Sequence, residues 1–262
     1  MNLFQQLATI PLFISYFFNV VDQHSIQAPF AYKFFNKLKE SIKASNAIEI
    51  IEQERERFFL DNSNVTGDDF GAGSKVKHAS RISSIARHGI SSRKDSIFLH
   101  EIANIAKSEI CIELGTSLGI ATSYLANSKS VSRIYSFEGN EVLVKNAKKL
   151  FKKLNIDKVQ LMQGNIDDEL PAFLETIDTF DLVIIDANHT RNALINYYQL
   201  LKSKINPSGI IVIDDIRWST GMYAGWRNII QRQEVSISME FLNKGLLFFE
   251  KGIQKQHYVL TI

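Results

Sequence analysis

The 262-residue sequence predicts an α/β fold with a mostly parallel sheet of seven strands, closed by a C-terminal antiparallel hairpin and preceded by a helical extension. From Ile110 onward, short apolar runs alternate with amphipathic helical stretches, which is typical of βαβ units. Near the C-terminus, apolar and polar residues alternate strictly from Val235 to Phe241, and a turn over 243–245 leads into a second apolar run. This pattern predicts the hairpin.

The composition is that of an ordinary globular protein, with 45% hydrophobic and 22% charged residues. A formal net charge of +2 gives no general attraction to nucleic acid. The single cysteine, Cys111, excludes an internal disulfide and a multi-cysteine metal site, and we interpret it as a buried strand residue. A reducing compartment, the cytoplasm, is therefore expected.

The uncharged stretch 7–21 predicts a helix near the N-terminus. It is too short for a transmembrane span and contains Pro11, and no Lys or Arg precedes Lys33 as a secretory signal requires. One helical face collects apolar residues at spacings of three and four: Leu3, Leu7, Ile10, Ile14, Phe17 and Val21. Such a face must be covered, and three partners remain open: the main domain, a twin subunit in a homodimer, and a membrane surface.

A second helical block is predicted from about Pro29 to Leu60. Asn46 and Glu49 have the spacing of a capping box, which would open a separate helix inside this block. Glutamate and arginine follow at a spacing of three in the pairs Glu52–Arg55 and Glu54–Arg57. We interpret these pairs as parts of a solvated face.

A polar, glycine-rich connector over 61–74, with Gly67, Gly71 and Gly73, separates the helical block from the rest of the chain. We therefore predict a helical extension over 1–74 and a main domain over 75–262. The start of the main domain is basic, because 75–94 contains no acidic residue and carries six positive charges: Lys75, Lys77, Arg81, Arg87, Arg93 and Lys94. This basic run is either a solvated helix face or an attractor of an anionic substrate. Ser92, with Asp95 three residues on, is predicted to cap the next helix.

Carboxylates and glycine turns follow the predicted parallel strands, at the point where each strand ends. The predicted strands are 110–114, 133–138, 158–162, 180–186 and 209–215, with helices near 119–127, 140–154, 167–176 and 190–203. Their ends carry Glu113 with the turn 115–119, Glu138, Gly164 with Asn165, Asp186, and Asp214 with Asp215. Ligands of open α/β sheets bind beyond the carboxyl ends of the strands, so these residues predict one shared site.

The first turn reads E-L-G-T-S-L-G over 113–119, which lacks the G-x-G-x-x-G of nicotinamide dinucleotide sites. A carboxylate at Glu113 would repel a pyrophosphate but suits a ligand with ammonium or sulfonium charge. Glu138, at the end of the second strand, is placed to accept both ribose hydroxyls of an adenosine. The pattern therefore indicates a positive, nucleoside-like ligand without phosphate and disfavours an NAD-dependent oxidoreductase.

Five segments resemble the class I S-adenosylmethionine-dependent methyltransferases, with greatest similarity to the catechol and caffeoyl-CoA O-methyltransferase-like branch. These segments are ELGTSLGIATSYLA, YSFEGN, GNIDDELP, FDLVIIDANHT and GIIVIDDI. The resemblance covers roughly 80–262 and implies a Rossmann-like methyltransferase fold. It also implies S-adenosyl-L-methionine as cofactor and O-methylation of a hydroxyl on a small molecule. The acceptor would be anionic if the basic run attracts it.

The resemblance implies cofactor contacts from the glycine turn and from the ends of the next three strands. These contacts are Glu113, Gly115, Thr116, Ser117, Gly119, Glu138, Gly164, Asn165, Ile166 and Asp186. The turn would hold the methionine end, Glu138 the ribose, and Asn165 with Ile166 the adenine edge.

A divalent cation is also implied, because Asp186, Asp214 and Asp215 stand at the family's magnesium positions, the third of which is Asn in the catechol-type branch and Asp here, as in some related sugar enzymes. Three carboxylates at adjacent strand ends independently favour Mg²⁺ or another hard cation. His189 lies where the related enzymes carry a lysine thought to take the acceptor proton, and imidazole can do this work. A surface or helix-capping histidine is the alternative. Trp218 and Tyr223 are predicted either to line an acceptor pocket or to belong to the core.

Two other functions remain open at this point. An RNA methyltransferase would use the same cofactor site together with the basic run over 75–94, although the near-neutral net charge disfavours nucleic acid. A non-catalytic module would keep the cofactor cleft without turnover.

Overall fold

Ten helices, a short 3-10 turn and ten strands are found in the computed structural model, which describes residues 3–66 and 80–262. The helices are α1 (Leu3–Asn19), α2 (Pro29–Ala44), α3 (Glu49–Leu60), α4 (Ile82–His88), α5 (Arg93–Ala106), α6 (Ile120–Ala126), α7 (Glu141–Lys153), α8 (Ile166–Leu174), α9 (Arg191–Leu201) and α10 (Thr220–Ile229). The strands are β1 (Asn64–Val65), β2 (Ser80–Arg81), β3 (Ile110–Leu114), β4 (Arg133–Glu138), β5 (Val159–Gln163), β6 (Phe180–Ile185), β7 (Ile205–Ile213), β8 (Ile237–Glu240), β9 (Gly245–Phe248) and β10 (Gln256–Val259).

The main sheet has the strand order β10-β8-β9-β7-β6-β3-β4-β5. Strands β3 to β7 pair in parallel, and β9 pairs antiparallel with both β7 and β8, which confirms the parallel sheet and the terminal hairpin. The predicted count of seven strands is wrong, because β10 adds an eighth strand parallel to β8. Its four residues, Gln-His-Tyr-Val, are too few and too polar to show a strand period, and its partner is remote in sequence.

Helices cover both faces of the parallel sheet. On β6, Leu182 and Ile184 belong to the apolar cluster that includes α2 and α5, whereas Val183 and Ile185 belong to the cluster that includes α8, α9 and α10. Successive strand residues point to opposite faces, so a strand buried on both sides is apolar without alternation. Cys111 is buried in β3 as predicted.

The helical extension shares the core of the sheet. Phe34 of α2 packs edge-on against Phe248 of β9 with ring centroids 4.9 Å apart. Ile51 and Phe58 of α3 lie in a third apolar cluster with Tyr124 of α6. The division at 74 stays a prediction, because the glycines of the connector and Lys75 with Lys77 lie outside the described residues.

The hydrophobic periodicity of α1 predicts that its apolar face is buried. In the structure, the opposite face of α1 packs against the protein. Tyr16 is buried, and its hydroxyl donates to the Leu260 carbonyl oxygen at 2.8 Å, while Arg217 Nε donates to the Leu12 carbonyl oxygen at 3.2 Å. Four residues of the predicted apolar face are exposed instead: Leu7, Ile10, Ile14 and Phe17. Packing of this face on the main domain, one of the three alternatives, is therefore wrong. Among the described residues no helix has both the length and the apolar character needed to cross a bilayer.

The two predicted helix caps have different outcomes. The Ser92 hydroxyl accepts a bond from the Asp95 backbone N–H at 3.2 Å and caps α5, as predicted. The predicted capping box at Asn46 is wrong, because α3 begins at Glu49 after Ile48, which makes no side-chain cap bond.

The predicted solvated face of α3 is also wrong, because Glu52, Glu54 and Arg55 are buried. Glu52 accepts hydrogen bonds from Tyr124 at 2.7 Å and from Arg55 at 3.0 Å. Arg93, a member of the basic run, is a third donor at 3.0 Å. The buried carboxylate is thus matched by charge and by hydrogen bonds, which is the condition for burying it.

Candidate active site

The turn after β3 is held against the end of β6. Gly115 has a φ of +104°, and a Cβ built on it would lie 2.2 Å from the Asp186 carbonyl oxygen. The Asp186 N–H also donates to the Leu114 carbonyl oxygen at 2.9 Å. Only glycine permits both the backbone conformation and this close approach. The turn and Asp186 therefore share one edge of the sheet, as the sequence predicts.

Glu113 faces the interior beneath this turn. Its Oε2 accepts from Thr122 and Ser136, each at 2.5 Å, and Ser136 also meets the Thr116 hydroxyl at 2.5 Å. Burial raises the pKa of Glu113 to about 7, although the two hydroxyl donors oppose the shift. Only 1% of Glu113 is exposed, and its hydrogen bonds to Thr122 of α6 and Ser136 of β4 connect these two elements beneath the turn. Its predicted role at the methionine end would act through the turn.

Glu138 lies at the end of β4 beside the same turn. The Ser117 N–H donates to one carboxylate oxygen at 2.8 Å, and the Asn140 N–H donates to the other at 2.9 Å. Ser117 has a φ of +49°, a left-handed conformation uncommon for a residue other than glycine. The predicted ribose carboxylate is therefore fixed against the glycine turn.

The turn after β5 approaches Glu138 from the other side. The Gly164 N–H donates to the Glu138 carbonyl oxygen at 3.1 Å. Asn165 caps α8 by accepting from the Asp167 N–H at 3.2 Å, and Ile166 is buried. The predicted adenine-edge residues thus follow directly on the predicted ribose carboxylate.

Two acids and a histidine meet beyond β6 and β7. Asp186, His189 and Asp215 each present one oxygen or nitrogen atom, and these atoms lie within 4.8 Å of one another. Removal from water, and then the negative charges of Asp214 and Asp215, raise the pKa of Asp186 well above its ordinary value. Asp215 adopts a left-handed φ of +51°. Clustered acids on strained backbone are characteristic of functional sites.

Asp214 is already paired with a buried lysine. Lys244 Nζ lies 2.8 Å from Asp214 Oδ1 and 2.9 Å from Asp95 Oδ1. Burial lowers the pKa of Lys244, but the charges of the two acids outweigh it and leave the pKa above its ordinary value. The ammonium group therefore lies at one of the three predicted metal ligands.

The sequence did not predict that Lys244 lies in this site, and it predicted Asp95 only as part of a helix cap. The hairpin was predicted, but its register was not. Gly245 pairs with Ile213, which brings the preceding Lys244 to the residue after β7, Asp214. No signal in the sequence located the lysine, because the register of β9 on β7 is set only in the assembled sheet.

His189 is oriented into the acidic group and not onto a helix end. Its Nε2 lies 3.9 Å from Asp186 Oδ1, and its ring centroid is 5.5 Å from that of Trp218. Its Nδ1 is buried and has no hydrogen-bond partner among the described residues. Thr190 caps α9 by accepting from the Ala193 N–H at 3.3 Å, so the helix-capping alternative for His189 is wrong.

The two aromatic residues that could line an acceptor pocket, Trp218 and Tyr223, lie in different environments. Trp218 is 41% exposed beside His189, whereas the Tyr223 ring lies against the Arg217 guanidinium, 5.1 Å away, and its hydroxyl donates to buried Glu240 at 3.4 Å. Tyr223 therefore belongs to a buried polar network, and Trp218 is the aromatic side chain available to a ligand.

Residues 112–216 match the family model described as a methyltransferase domain. Over this stretch the chain is similar to methyltransferase domains. The matched stretch runs from β3 to the residue after Asp215 and includes the glycine turn, Glu138 and His189. The resemblance to the S-adenosylmethionine-dependent methyltransferases is confirmed.

A curated relative is named as a probable O-methyltransferase. "Probable O-methyltransferase Rv1703c" from Mycobacterium tuberculosis is 29% identical over 121 residues, which cover 43% of this chain. The chain spans about half, 51%, of the length of that curated relative.

Solved structures of methyltransferases share the fold of more than half of this chain. The Podospora anserina methyltransferase PaMTH1, bound to S-adenosylhomocysteine (SAH), is 15% identical with a TM-score of 0.62, covering 87% of this chain and 100% of that chain. The O-methyltransferase TomG from Streptomyces achromogenes, in complex with SAM, is 16% identical with a TM-score of 0.53, covering 62% and 82%. At such identities the similarity shows the fold alone, and that fold is the Rossmann-like methyltransferase fold.

Proposed function

We propose that this protein is an S-adenosylmethionine-dependent methyltransferase that methylates a hydroxyl group of a small molecule. The observation that carries the proposal is the meeting of the glycine turn, Glu138 and the Asp186–His189–Asp215 group at one edge of the parallel sheet. Cofactor-holding and proton-accepting side chains are thereby adjacent, as a transfer between two bound molecules requires.

The cofactor residues divide the ligand into three parts. The turn 115–119 would hold the methionine end, supported from below by Glu113. Glu138 would accept the ribose hydroxyls, because its two oxygens already accept backbone N–H bonds and stay in place for further donors. Asn165 and Ile166 would line the adenine edge.

The reaction would be an in-line displacement at the sulfonium methyl group. The acceptor oxygen forms a bond to the methyl carbon while the carbon–sulfur bond breaks, and SAH leaves as a neutral thioether. His189 would take the hydroxyl proton at a ring nitrogen, with Asp186 beside it to stabilise the imidazolium that forms. Trp218 would pack against the acceptor and hold it over His189.

The acidic group also fits a divalent cation, since its donor atoms are close together and one nitrogen is buried without a partner in the described part of the chain. A cation held by Asp186 and Asp215 would orient the acceptor oxygen and lower its pKa. Asp214, the third residue of the predicted set, would join the ligands by exchanging Lys244 for the metal. We therefore propose metal assistance in which the cation competes with the Lys244 ammonium group for Asp214.

An RNA acceptor has less support than a small molecule. Within the basic run, Arg93 is bound to buried Glu52, and Arg87 donates to the Phe59 carbonyl oxygen at 3.3 Å. Both guanidinium groups donate to the protein itself, which leaves fewer of their N–H groups for phosphate. A small acceptor that enters beside Trp218 does not need them.

The test is a calorimetric titration of the full chain with SAH, first in EDTA and then with added magnesium. We expect binding in both conditions and at least about tenfold weaker binding for Glu138→Ala, because a charge-assisted ribose contact is lost. Glu141→Ala is the matched control, since Glu141 is exposed and pairs with Lys145 on the surface of α7. Folded protein that binds NAD and not SAH would contradict the proposal. Binding of SAH without turnover on any hydroxylated acceptor would favour a non-catalytic module.

A further inference from the structure

Five large apolar side chains form an uncovered face of α1, which we call the α1 apolar face. They are Leu7, Ile10, Ile14, Phe17 and Phe18, with exposed fractions of 52%, 48%, 51%, 68% and 85%. The helix spans 17 residues and contains no charged residue. An apolar patch of this kind marks a surface that binds something in the functional state.

The orientation of this face is fixed by the opposite side of α1. Tyr16 is hydrogen-bonded to Leu260, and the Arg217 guanidinium lies 4.9 Å from the Tyr16 ring centroid. Arg217 itself is buried and ion-paired with Glu240. The α1 apolar face is therefore directed outward by a buried polar network and does not result from a loosely attached helix.

Helix α2, the next α-helix along the chain, carries a row of lysines. Helix α2 carries four exposed lysines and a single acidic residue, Glu40; the lysines are Lys33, Lys37, Lys39 and Lys43. Val21, two residues beyond α1, lines a surface hollow together with Gln23 and Lys39. Gln23 and Lys39 also line the adjoining hollow that the other three lysines border. The two hollows thus extend from the residues that follow α1, Asp22 among them, to the lysines of α2.

We propose that the α1 apolar face and the α2 lysine row dock this protein on an anionic lipid bilayer. Helix α1, about 25 Å long, would lie in the plane of the interface with its phenylalanines among the acyl chains. The lysines would lie over phosphate headgroups, which attract basic segments next to an inserted helix. This proposal is independent of the proposed methyl transfer.

Charge decides between a bilayer and a second copy of the chain. A symmetric dimer through α1 would cover the apolar residues but would supply no row of acidic side chains to match the lysines, because the partner surface is a second copy of α1 and α2. An anionic bilayer offers an apolar interior and negative headgroups in one surface, and so matches both halves of this region.

The test is co-sedimentation of the full chain with vesicles of phosphatidylcholine alone or mixed with phosphatidylglycerol. We expect sedimentation with the mixed vesicles, weakened by salt, and little with phosphatidylcholine alone. The double variant Ile14→Asp/Phe17→Asp and the double variant Lys37→Glu/Lys43→Glu should each bind at least about tenfold more weakly.

Two control variants introduce acidic residues of the same kinds at exposed positions outside α1 and α2. Lys148→Glu/Lys152→Glu alters exposed lysines of α7, and Leu60→Asp alters an exposed leucine at the end of α3. Both should bind mixed vesicles as the parent protein does, and retained SAH affinity would report an intact fold. Failure of the parent protein to sediment, or undiminished binding by the α1 variant, would overturn the proposal. A parent dimer that Ile14→Asp/Phe17→Asp dissociates would assign the face to a second copy.

Discussion

Lys244 Nζ lies 2.8 Å from Asp214 Oδ1, inside a group of acids that would otherwise carry uncompensated negative charge. The same ammonium bridges to Asp95 of α5, so one lysine of the C-terminal hairpin connects the hairpin, the end of β7 and a helix on the sheet's face. Both Lys244 and Asp214 are buried, and each therefore depends on the other for its charge.

Removal of this lysine should destabilise the fold and open a ligand position. Lys244→Met leaves two acids without their cation, and we expect a loss of about 3 kcal/mol in the free energy of unfolding. Magnesium should raise the melting temperature of this variant more than that of the parent, because Asp214 becomes available to the metal. Thermal unfolding with and without magnesium measures both effects.

Lys202→Met is the matched control for this comparison. Its pair with Glu234 has the same charge and a similar length, 2.9 Å, but both side chains are more than a third exposed. We expect a loss below about 1 kcal/mol and the same response to magnesium as that of the parent. Equal magnesium effects on parent and Lys244→Met would contradict the assignment of Asp214 as a masked ligand.

Glu113 should make the stability of the ligand-free protein fall as pH rises. Burial raises its pKa to about 7 in the folded state from an ordinary value of 4.5, so the folded chain holds a proton that the unfolded chain releases. The contribution of Glu113 to the free energy of unfolding is therefore fully present below pH about 4.5 and is lost as the pH rises to about 7. The total change is about 3 kcal/mol.

The Glu113→Gln variant isolates that contribution, since glutamine keeps the shape and cannot ionise. Urea unfolding of parent and variant over the same pH window should give a difference that grows in favour of the variant toward neutral pH. A constant difference would show that Glu113 ionises alike in both states. Every other titrating group is common to the two proteins and cancels.

The glycine turn can be tested with two glycines of similar backbone conformation. Gly115 and Gly252 have φ values of +104° and +77°, but a Cβ at Gly115 would meet Asp186 backbone at 2.2 Å, whereas nothing lies within 4 Å of a Cβ at Gly252. Gly252→Ala should cost about 1 kcal/mol from backbone strain alone. Gly115→Ala should cost several times more, on the order of 3 kcal/mol, and should abolish SAH binding. Chemical denaturation and calorimetry measure the two effects, and similar losses in both variants would contradict the close approach.

The sequence predicted well what is determined locally. Strands β3 and β4 have the predicted bounds, and Ser92 caps α5, because periodicity and capping act within a few residues. Carboxyl-end residues also met as expected, since parallel strands deliver their ends to one edge.

The failures arose from contacts remote in sequence. Periodicity showed that α1 has an apolar face but not that Tyr16, on the other side, would be fixed by Leu260 and Arg217. Similarly, the three-carboxylate metal set took no account of Lys244, whose position depends on the register of a hairpin thirty residues away from Asp214. Which charged side chains pair in a core depends on contacts between distant segments, and local sequence patterns do not predict those contacts.

His189 should be needed for turnover and dispensable for cofactor binding. His189→Ala removes the proposed proton acceptor beside Asp186 but leaves the glycine turn and Glu138 intact, so we expect turnover about 10² to 10⁴ times lower and unchanged SAH affinity. Turnover would be measured by SAH release on an acceptor found by screening hydroxylated compounds, and affinity by calorimetry. His88→Ala, at an exposed position of α4, is the control and should leave both quantities unchanged. Parallel losses of turnover and SAH affinity in His189→Ala would assign the histidine to the cofactor site, and full turnover would remove it from the mechanism.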